Sequence, residues 1–420
     1  MLQRIFDFSL ALYRLVFPIR PYFHHKITIC NTLLLDTNLE KRAKPNKRLI
    51  IAFGIENAFT TISEDLHRNF LHKVEDALNK SNNDSARIEL AQNAIKIGTE
   101  YIKRSAQQEH AISLSKLVQV VAFRIILTIF FPHVARSLKE DGRMNDTDVE
   151  IISEKINTLW YDSKSPWKIF CATYFPPHFS SIMKDRETLL THLELQFPWY
   201  RTYLPQRNPL NILIPAHQGL WRVVLRCFIE VRFRSSDADR ETWSKLFEDF
   251  LKAPTECWHK PNEEGLDVQM IIAETLRLYP PTPRMYVQQD DGSLDAIDIQ
   301  TMHRTGERWA PDPLRYRPDR WIHNDNEELD VVDTDNYMPF GRKVDMPKGA
   351  RTTTMSQCPS RLRGGPKLIA ILVGALLEVV DQKWELEEVK DRNDDVSGNE
   401  PLRSGRDAYE GLRLRRKLDA

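Results

Sequence analysis

Apolar residues recur at helical spacing along most of the first 280 positions, so the chain reads as a mainly helical body. Residues 62–80 carry Leu66, Phe70, Val74 and Leu78 four apart, with Ser63 placed to cap the start, which predicts an amphipathic helix. The helical period continues over 86–107. Residues 114–135 are strongly apolar, interrupted by Lys116, Gln119 and Arg124, and predict one helix buried inside the body. Two further helices are expected at 148–163 and 181–196, with the Pro-rich CATYFPPHF (171–179) as a loop between them.

The longest apolar stretch is 208–232, NPLNILIPAHQGLWRVVLRCFIEVR. Pro215 has no N–H to give, which predicts a kink or a locally broken hydrogen-bond ladder, and the polar group His217, Gln218 and Gly219 follows at once. Arg222 and Arg226, one turn apart on one face, weigh against a membrane span and favour a long central helix with a distorted middle turn. Distorted turns often sit against ligands. Helices follow at 241–253 and 266–279, then short β-like runs between 283 and 300. The coil APDPLRYRPDRW (310–321) is too rich in proline for regular structure. A final helix is expected over 366–385 with Pro366 near its first position. The charged tail 386–420 reads as a β-hairpin or a loose end. The expected fold class is mainly α with a small β portion, in one domain over 1–420 without repeat or linker.

Composition narrows the function. Basic and acidic residues balance, 59 against 59, which argues against nucleic acid as a partner. The cysteines at 30, 171, 227, 257 and 358 are odd in number, widely spaced and without a CxxC pair. Neither a disulfide framework nor a zinc site is supported, and one isolated cysteine remains able to hold a metal. Residues 1–20 are too short and, through Arg4, Asp7 and Arg14, too charged for a spanning helix. They fit a first helix packed on the body better than an amphipathic helix in peripheral contact with a membrane or a truncated anchor.

Four segments in fixed order carry the chemistry. Glu274 and Arg277 lie three apart on one helix face and are followed by LYPPTPR. HRTGERWAPDPLRYRPDRW then closes in Pro318-Asp319-Arg320-Trp321. Next come Met338-Pro339-Phe340-Gly341 and finally Cys358-Pro359, directly before the last apolar helix. None is specific singly. As a set over roughly 208–420 they resemble the C-terminal half of the cytochrome P450 family. The tail SGRDAYEGLRLRR is similar to the last hairpin of fungal members, and AFGIENAFTT near position 55 matches more loosely.

The resemblance implies a haem-thiolate protein with a long distal helix and a C-terminal cysteine-ligand loop. Haem b would be held by the thiolate of Cys358, with Phe340 on the same loop. Glu274, Arg277 and Arg320 would form a buried cluster below the haem, and Arg284, His67 and Arg68 are candidates for its propionates. The implied activity is monooxygenation of a small apolar substrate in secondary metabolism. No flavin or nicotinamide fingerprint occurs, so electrons would come from a separate flavoprotein reductase. The implied location is the cytoplasmic side of the endoplasmic reticulum membrane, or the cytoplasm.

The sequence also departs from the family. Gln218 and Gly219 stand where members have an acid and a threonine that relay protons, leaving His217 as a substitute donor. Phe340 stands 18 positions before Cys358 where seven are usual, so 11 extra residues intervene and RKVDMPKGARTTTMSQ reads as an insertion. Ser356 replaces a propionate-binding arginine and Ser360 a glycine. The membrane-spanning anchor of fungal members is not seen. Two other readings follow: a haem enzyme that does not activate dioxygen (an isomerase, dehydratase or peroxide user), and a degenerate relative without haem.

Overall fold

Ser63 accepts from Leu66 N at 3.4 Å, with Glu64 and Asp65 in the first turn, so the first expected helix starts at its expected cap. The computed structural model describes residues 20–26, 28–30, 33, 38–108, 111–140, 145–322, 337–341, 358, 360, 364–387 and 394–417. The membrane-contact reading of residues 1–19, the insertion from 342 to 357 and Ser356 all lie outside them.

Fourteen helices are used below: α1 Leu39–Ala43, α2 Lys47–Phe53, α3 Glu64–Lys80, α4 Asp84–Gln108, α5 Leu114–Phe130, α6 Pro132–Glu140, α7 Asp146–Asp162, α8 Pro166–Tyr174, α9 Ser181–Gln196, α10 Leu210–Ile229, α11 Asp237–Lys252, α12 Val268–Leu278, α13 Ile299–Arg304 and α14 Gly365–Val379. Among the described residues the small β portion is two three-stranded sheets. In one, β1 (Tyr22–His24) pairs in parallel with β4 (Leu294–Asp298), and β4 pairs antiparallel with β3 (Arg284–Gln288), Arg284 opposite Asp298. In the other, β6 (Arg413–Arg416) lies between β2 (Ile112–Ser113) and β5 (Trp384–Leu386), antiparallel to both. The mainly helical class is as expected; in the tail expected as a hairpin or loose end, the described residues beyond 386 hold one strand, β6, which pairs with β5 and with the distant β2.

The centre is helix on helix. Helix α10 packs on α5 and α14, and α14 also packs on α4, α11 and α12. Helix α5 is buried all round. Leu117, Val118, Val121, Phe123, Ile125 and Leu127 are at most 1% exposed, each burial worth about 1.5–3 kcal/mol. Arg124 survives there by pairing with Asp146 at the start of α7, which suits a protein core. Among the described residues one helical stretch, Leu210–Arg234, is long and apolar enough to cross a membrane, and most of it is buried in this core.

Three expectations are corrected. The stretch 114–135 is two helices bent by 117° at Phe131–Pro132, because Pro132 cannot continue the ladder of α5. The segment 171–179 is largely helical, as α8 and a 3₁₀ turn at Pro177–Phe179, with Ser165 capping α8 ahead of Pro166. The last helix ends at Val379, and Trp384–Leu386 is already strand.

The expected distortion of the long helix falls elsewhere. Helix α10 stays α-helical through Pro215. Pro215 deprives the carbonyl of Asn211 of its donor, and the side-chain amide of Asn57 donates to that carbonyl instead, at 3.3 Å. The non-α turn is a π-helical one at Glu230–Arg234. It seats the buried carboxylate of Glu230 against the Tyr279 hydroxyl and against Arg234 Nη1 at 2.6 Å.

Candidate functional site

Glu274 on α12 is fully buried and accepts five hydrogen bonds. Arg277 Nε and Nη2 donate to it at 2.8 Å each, Arg317 N at 2.8 Å, Arg320 Nε at 3.0 Å and Trp321 Nε1 at 3.1 Å. Arg277 spends its remaining donors on the carbonyls of His303, Pro313 and Arg315. Arg320 adds those of Trp309, Asp312 and Arg315. Such a cluster is tolerable in a core only because every charge is matched, and its effect is to fix geometry. The coil 310–321 thereby becomes a rigid floor under α12, without regular structure of its own beyond the 3₁₀ turn Pro318–Trp321. The expected trio of Glu274, Arg277 and Arg320 is assembled.

His303 on α13 was not singled out by the sequence and extends this network. Its Nδ1 donates to the carbonyl of Arg277 at 3.2 Å, and its Nε2 accepts from Met338 N at 3.0 Å. Tyr337 stacks on the ring at 5.6 Å and donates its hydroxyl to Ala273 O. Burial and the Arg277 charge push His303 down to about 3, so the ring is neutral and keeps this tautomer. The segment entering Met338-Pro339-Phe340-Gly341 is thus tied to α12. A turn follows in which Gly341 N donates to Met338 O at 3.0 Å, and Gly341 takes φ +87°, open to glycine at no steric cost. Phe340 packs on the main core.

Cys358 is a partly buried cysteine a few residues ahead of α14. The other cysteines differ. Burial pushes Cys30 up to about 11 and Cys227 up to about 12, which keeps both as protonated thiols. Burial also raises Cys257, after α11, and Cys171 lies within α8.

On α10, the three expected distal residues face different surroundings. His217 is fully buried, donates Nε2 to Gln119 O at 3.1 Å and meets Phe123 edge-on at 5.4 Å. Burial pushes it down to about 4. It is a neutral ring whose N–H is committed to α5, so it does not join its neighbours. Gln218 Oε1 accepts from Arg406 Nη1, and from Trp221 Nε1 at 3.3 Å, while its Nε2 is buried without a partner. Gly219 lets Pro281 come close: a Cβ there would sit 3.3 Å from Pro281 Cβ. A cavity of about 10 Å³, room for one water, lies between Gly219, Arg222 and Pro281.

The propionate candidates are dispersed. Arg284 is paired with Asp298 at 2.9 Å. Arg68 is exposed and pairs with Asp65. His67 is buried, with its pKa pushed down to about 4 by burial. The cationic side chains that do gather near Gln218 are Arg48, Lys164, Arg222 and Arg406, none of them selected from the sequence as ligand-binding. Their spacing along the chain gives no signal, since they come from four separate elements.

The sequence pattern of the family described as Cytochrome P450 matches residues 268–342, the stretch that builds the Glu274 cluster and the Met338–Gly341 turn. The whole fold is similar to that of a single-residue variant of cytochrome P450SP alpha. The TM-score is 0.56 at 14% identity, over 94% of this chain and 89% of that one. Retinoic acid bound cyanobacterial CYP120A1 gives 0.53 at 15% identity, over 92% and 87%. The chain has the fold of the cytochromes P450 and carries part of their sequence pattern. Among curated proteins it is similar to the bifunctional cytochrome P450/NADPH–P450 reductase 2 of Bacillus subtilis (strain 168), 25% identical over 147 residues. It is also similar to cytochrome P450 98A1 of Sorghum bicolor, 28% identical over 134 residues. These matches span 31% and 29% of this chain but only 13% and 23% of the relatives' own lengths.

A cytochrome P450 carries haem with a cysteine thiolate on the iron. The donor set of this chain fits that group through one residue. Cys358 follows the Met338–Gly341 turn and precedes α14, and it is neither sealed in the core like Cys30 and Cys227 nor lodged in α8 like Cys171.

Proposed function

We propose that this protein is a cytochrome P450 that works as a haem-dependent monooxygenase on a small apolar substrate in secondary metabolism, and that the Cys358 thiolate would hold the haem iron. Electrons come from a separate flavoprotein reductase, and the protein works in the cytoplasm or at the cytoplasmic face of the endoplasmic reticulum. The observation that carries this reading is the saturated Glu274–Arg277–Arg320 cluster, tied through His303 to the turn that leads toward Cys358. When bound, the thiolate-ligated iron supplies oxygen-atom transfer, which thiolate donation favours. This chain's own part is to hold the thiol-bearing segment and to line the opposite side with Gln218 and Gly219.

A second reading is favoured by one observation. Neither Gln218 nor Gly219 can pass a proton to oxygen, and the N–H of His217 is bound to Gln119. An oxidant that arrives already reduced, such as hydrogen peroxide, suits that arrangement better than dioxygen.

The test is the reduced, carbon-monoxide difference spectrum of the full chain. A strongly red-shifted Soret band, lost in Cys358→Ala, supports the assignment. An unchanged spectrum in that variant sinks it. Product formation with reductase and dioxygen against formation with peroxide alone then separates the two oxidants.

A further inference from the structure

Four cationic side chains gather where the end of α7, α2, α10 and the C-terminal segment meet, and none pairs with a carboxylate among the described residues. Arg48 and Arg406 both lie on the ring of Trp160, at 4.9 and 4.0 Å from its centroid. Lys164 lies over Tyr161 at 5.3 Å. Arg222 is held behind them by Gln218 O at 2.7 Å and Pro281 O at 3.1 Å. The guanidinium of Arg48 gives one hydrogen bond, to Ser163 Oγ, and that of Arg406 gives one, to Gln218 Oε1. Among the described residues their remaining N–H groups meet no acceptor. Gln218 Nε2, almost wholly buried, is a further donor without a partner. The neighbouring carboxylates are engaged elsewhere: Asp407 is exposed and accepts from the Tyr161 hydroxyl, and Asp162 binds Lys168 and Ser181.

Like charges brought together and partly desolvated cost free energy unless an anion completes them. Burial and the charges of Arg222 and Arg48 pull Arg406 well below the ordinary arginine range, and burial, followed by the charges of Arg48, Arg406, Arg222 and Arg284, lowers Lys164. The forked donors of two arginines flanking an indole match the two oxygens of a carboxylate. Lys164 is exposed and marks the open side, whereas Arg406 and Gln218 are buried.

We propose that Arg48, Lys164 and Arg406 form an anion site that takes the carboxylate of a small, otherwise apolar acid. This deepens the monooxygenase reading and rests on it only for placing Gln218 beside the reacting centre. The carboxylate accepts from Arg406 and Arg48, Lys164 closes the solvent side, and the apolar body of the acid extends along α10 past Gln218. Position along the substrate is then set by the distance from its acid group, so the site fixes which carbon is presented.

The experiment is calorimetric titration of the full chain, haem-loaded and haem-free, with decanoate and with methyl decanoate. The acid is expected to bind at least about tenfold more tightly than the ester, as charge-assisted hydrogen bonds contribute on that scale. R406Q and the exposed-site variant K164M should each remove most of that difference and leave ester binding unchanged. Q218E, which supplies an internal carboxylate to Arg406, should also remove most of the acid–ester difference. Equal binding of acid and ester to both forms overturns the proposal. So does discrimination confined to haem-free protein together with weakened haem retention in R406Q, since the cofactor's own carboxylates are then the occupants. Acid-selective binding by a chain that takes up no haem leaves the anion site standing while the monooxygenase reading fails.

Discussion

The backbone N–H of Met338 donates to Nε2 of His303 at 3.0 Å, while Nδ1 of the same ring donates to the carbonyl of Arg277. One neutral imidazole therefore ties the cluster helix to the turn that leads toward the thiol. His303→Leu leaves a buried N–H without an acceptor, at a cost of about 1–3 kcal/mol. Its pH signature is specific. The unfolded ring protonates near its ordinary value of 6.5, the native ring only near 3, so the unfolded state binds more protons between the two. The stabilisation is complete above 6.5 and declines as the pH falls toward 3. Urea unfolding at pH 7.5 and pH 5 should show a smaller loss in His303→Gln than in the parent chain. His67 and His217, each pushed down to about 4, keep the remaining share of the same sign.

Glu274 gathers donors from α12 and from the coil 310–321, so removing it strands Arg277 in a site with no exposure. Breaking a buried ion cluster from one side costs about 3–5 kcal/mol. Glu274→Ala should therefore lower the denaturant midpoint sharply. Glu274→Gln, which keeps one acceptor oxygen, should lose less. If haem is taken up, Glu274→Gln should also retain it poorly, because the turn at Met338–Gly341 hangs from this cluster. Equal stability of the two variants would count against a charge-based role.

Gly219 carries a steric constraint as well as a chemical absence. A Cβ there meets Pro281 Cβ at 3.3 Å, tighter than ordinary packing. Gly219→Thr, the change that supplies the missing hydroxyl, should cost about 1–3 kcal/mol through overpacking. It should not raise turnover unless Pro281 is also relieved. The double variant Gly219→Thr with Pro281→Ala should recover stability. A stable single variant, by thermal unfolding, would show that the loop after α12 moves freely.

Much of this was legible in the sequence where local rules decide. The Ser63 cap, the strands at 284–298 and the pairing of Glu274 with Arg277 all follow from patterns a few residues long. What stayed hidden depends on contacts from far along the chain. The helix survives Pro215 because Asn57 supplies a donor from 154 positions away, which no reading of 208–232 contains. His217 looked like a proton donor beside Gln218, yet successive helical residues face different directions and its ring meets α5. Arg406 sits in a tail read only as a hairpin, and its approach to Gln218 spans 188 positions.

Glu230 gives the opposite pH dependence to His303. Burial pushes its carboxyl up to about 7, despite Arg234 at 2.6 Å and the Tyr279 hydroxyl. An unfolded glutamate loses its proton near 4.5, so between pH 4.5 and 7 the native chain holds a proton that the unfolded chain has released. The unfolded state binds fewer protons there, and stability falls with rising pH across that window. A shift of this size corresponds to about 3 kcal/mol. Glu230→Gln keeps an oxygen for Tyr279 and Arg234 and removes the titration. The variant should match the parent near pH 4.5 and exceed it at pH 8 by up to that amount. Tyr279 also accepts from Leu402 N at 3.0 Å, which links the Glu230 site to the C-terminal segment that carries Arg406. Amide exchange at Leu402 should quicken above pH 7 in the parent chain and stay constant in Glu230→Gln, once corrected for the intrinsic pH dependence of exchange. Identical corrected rates in the two proteins would place the charge of Glu230 in solvent rather than in the core.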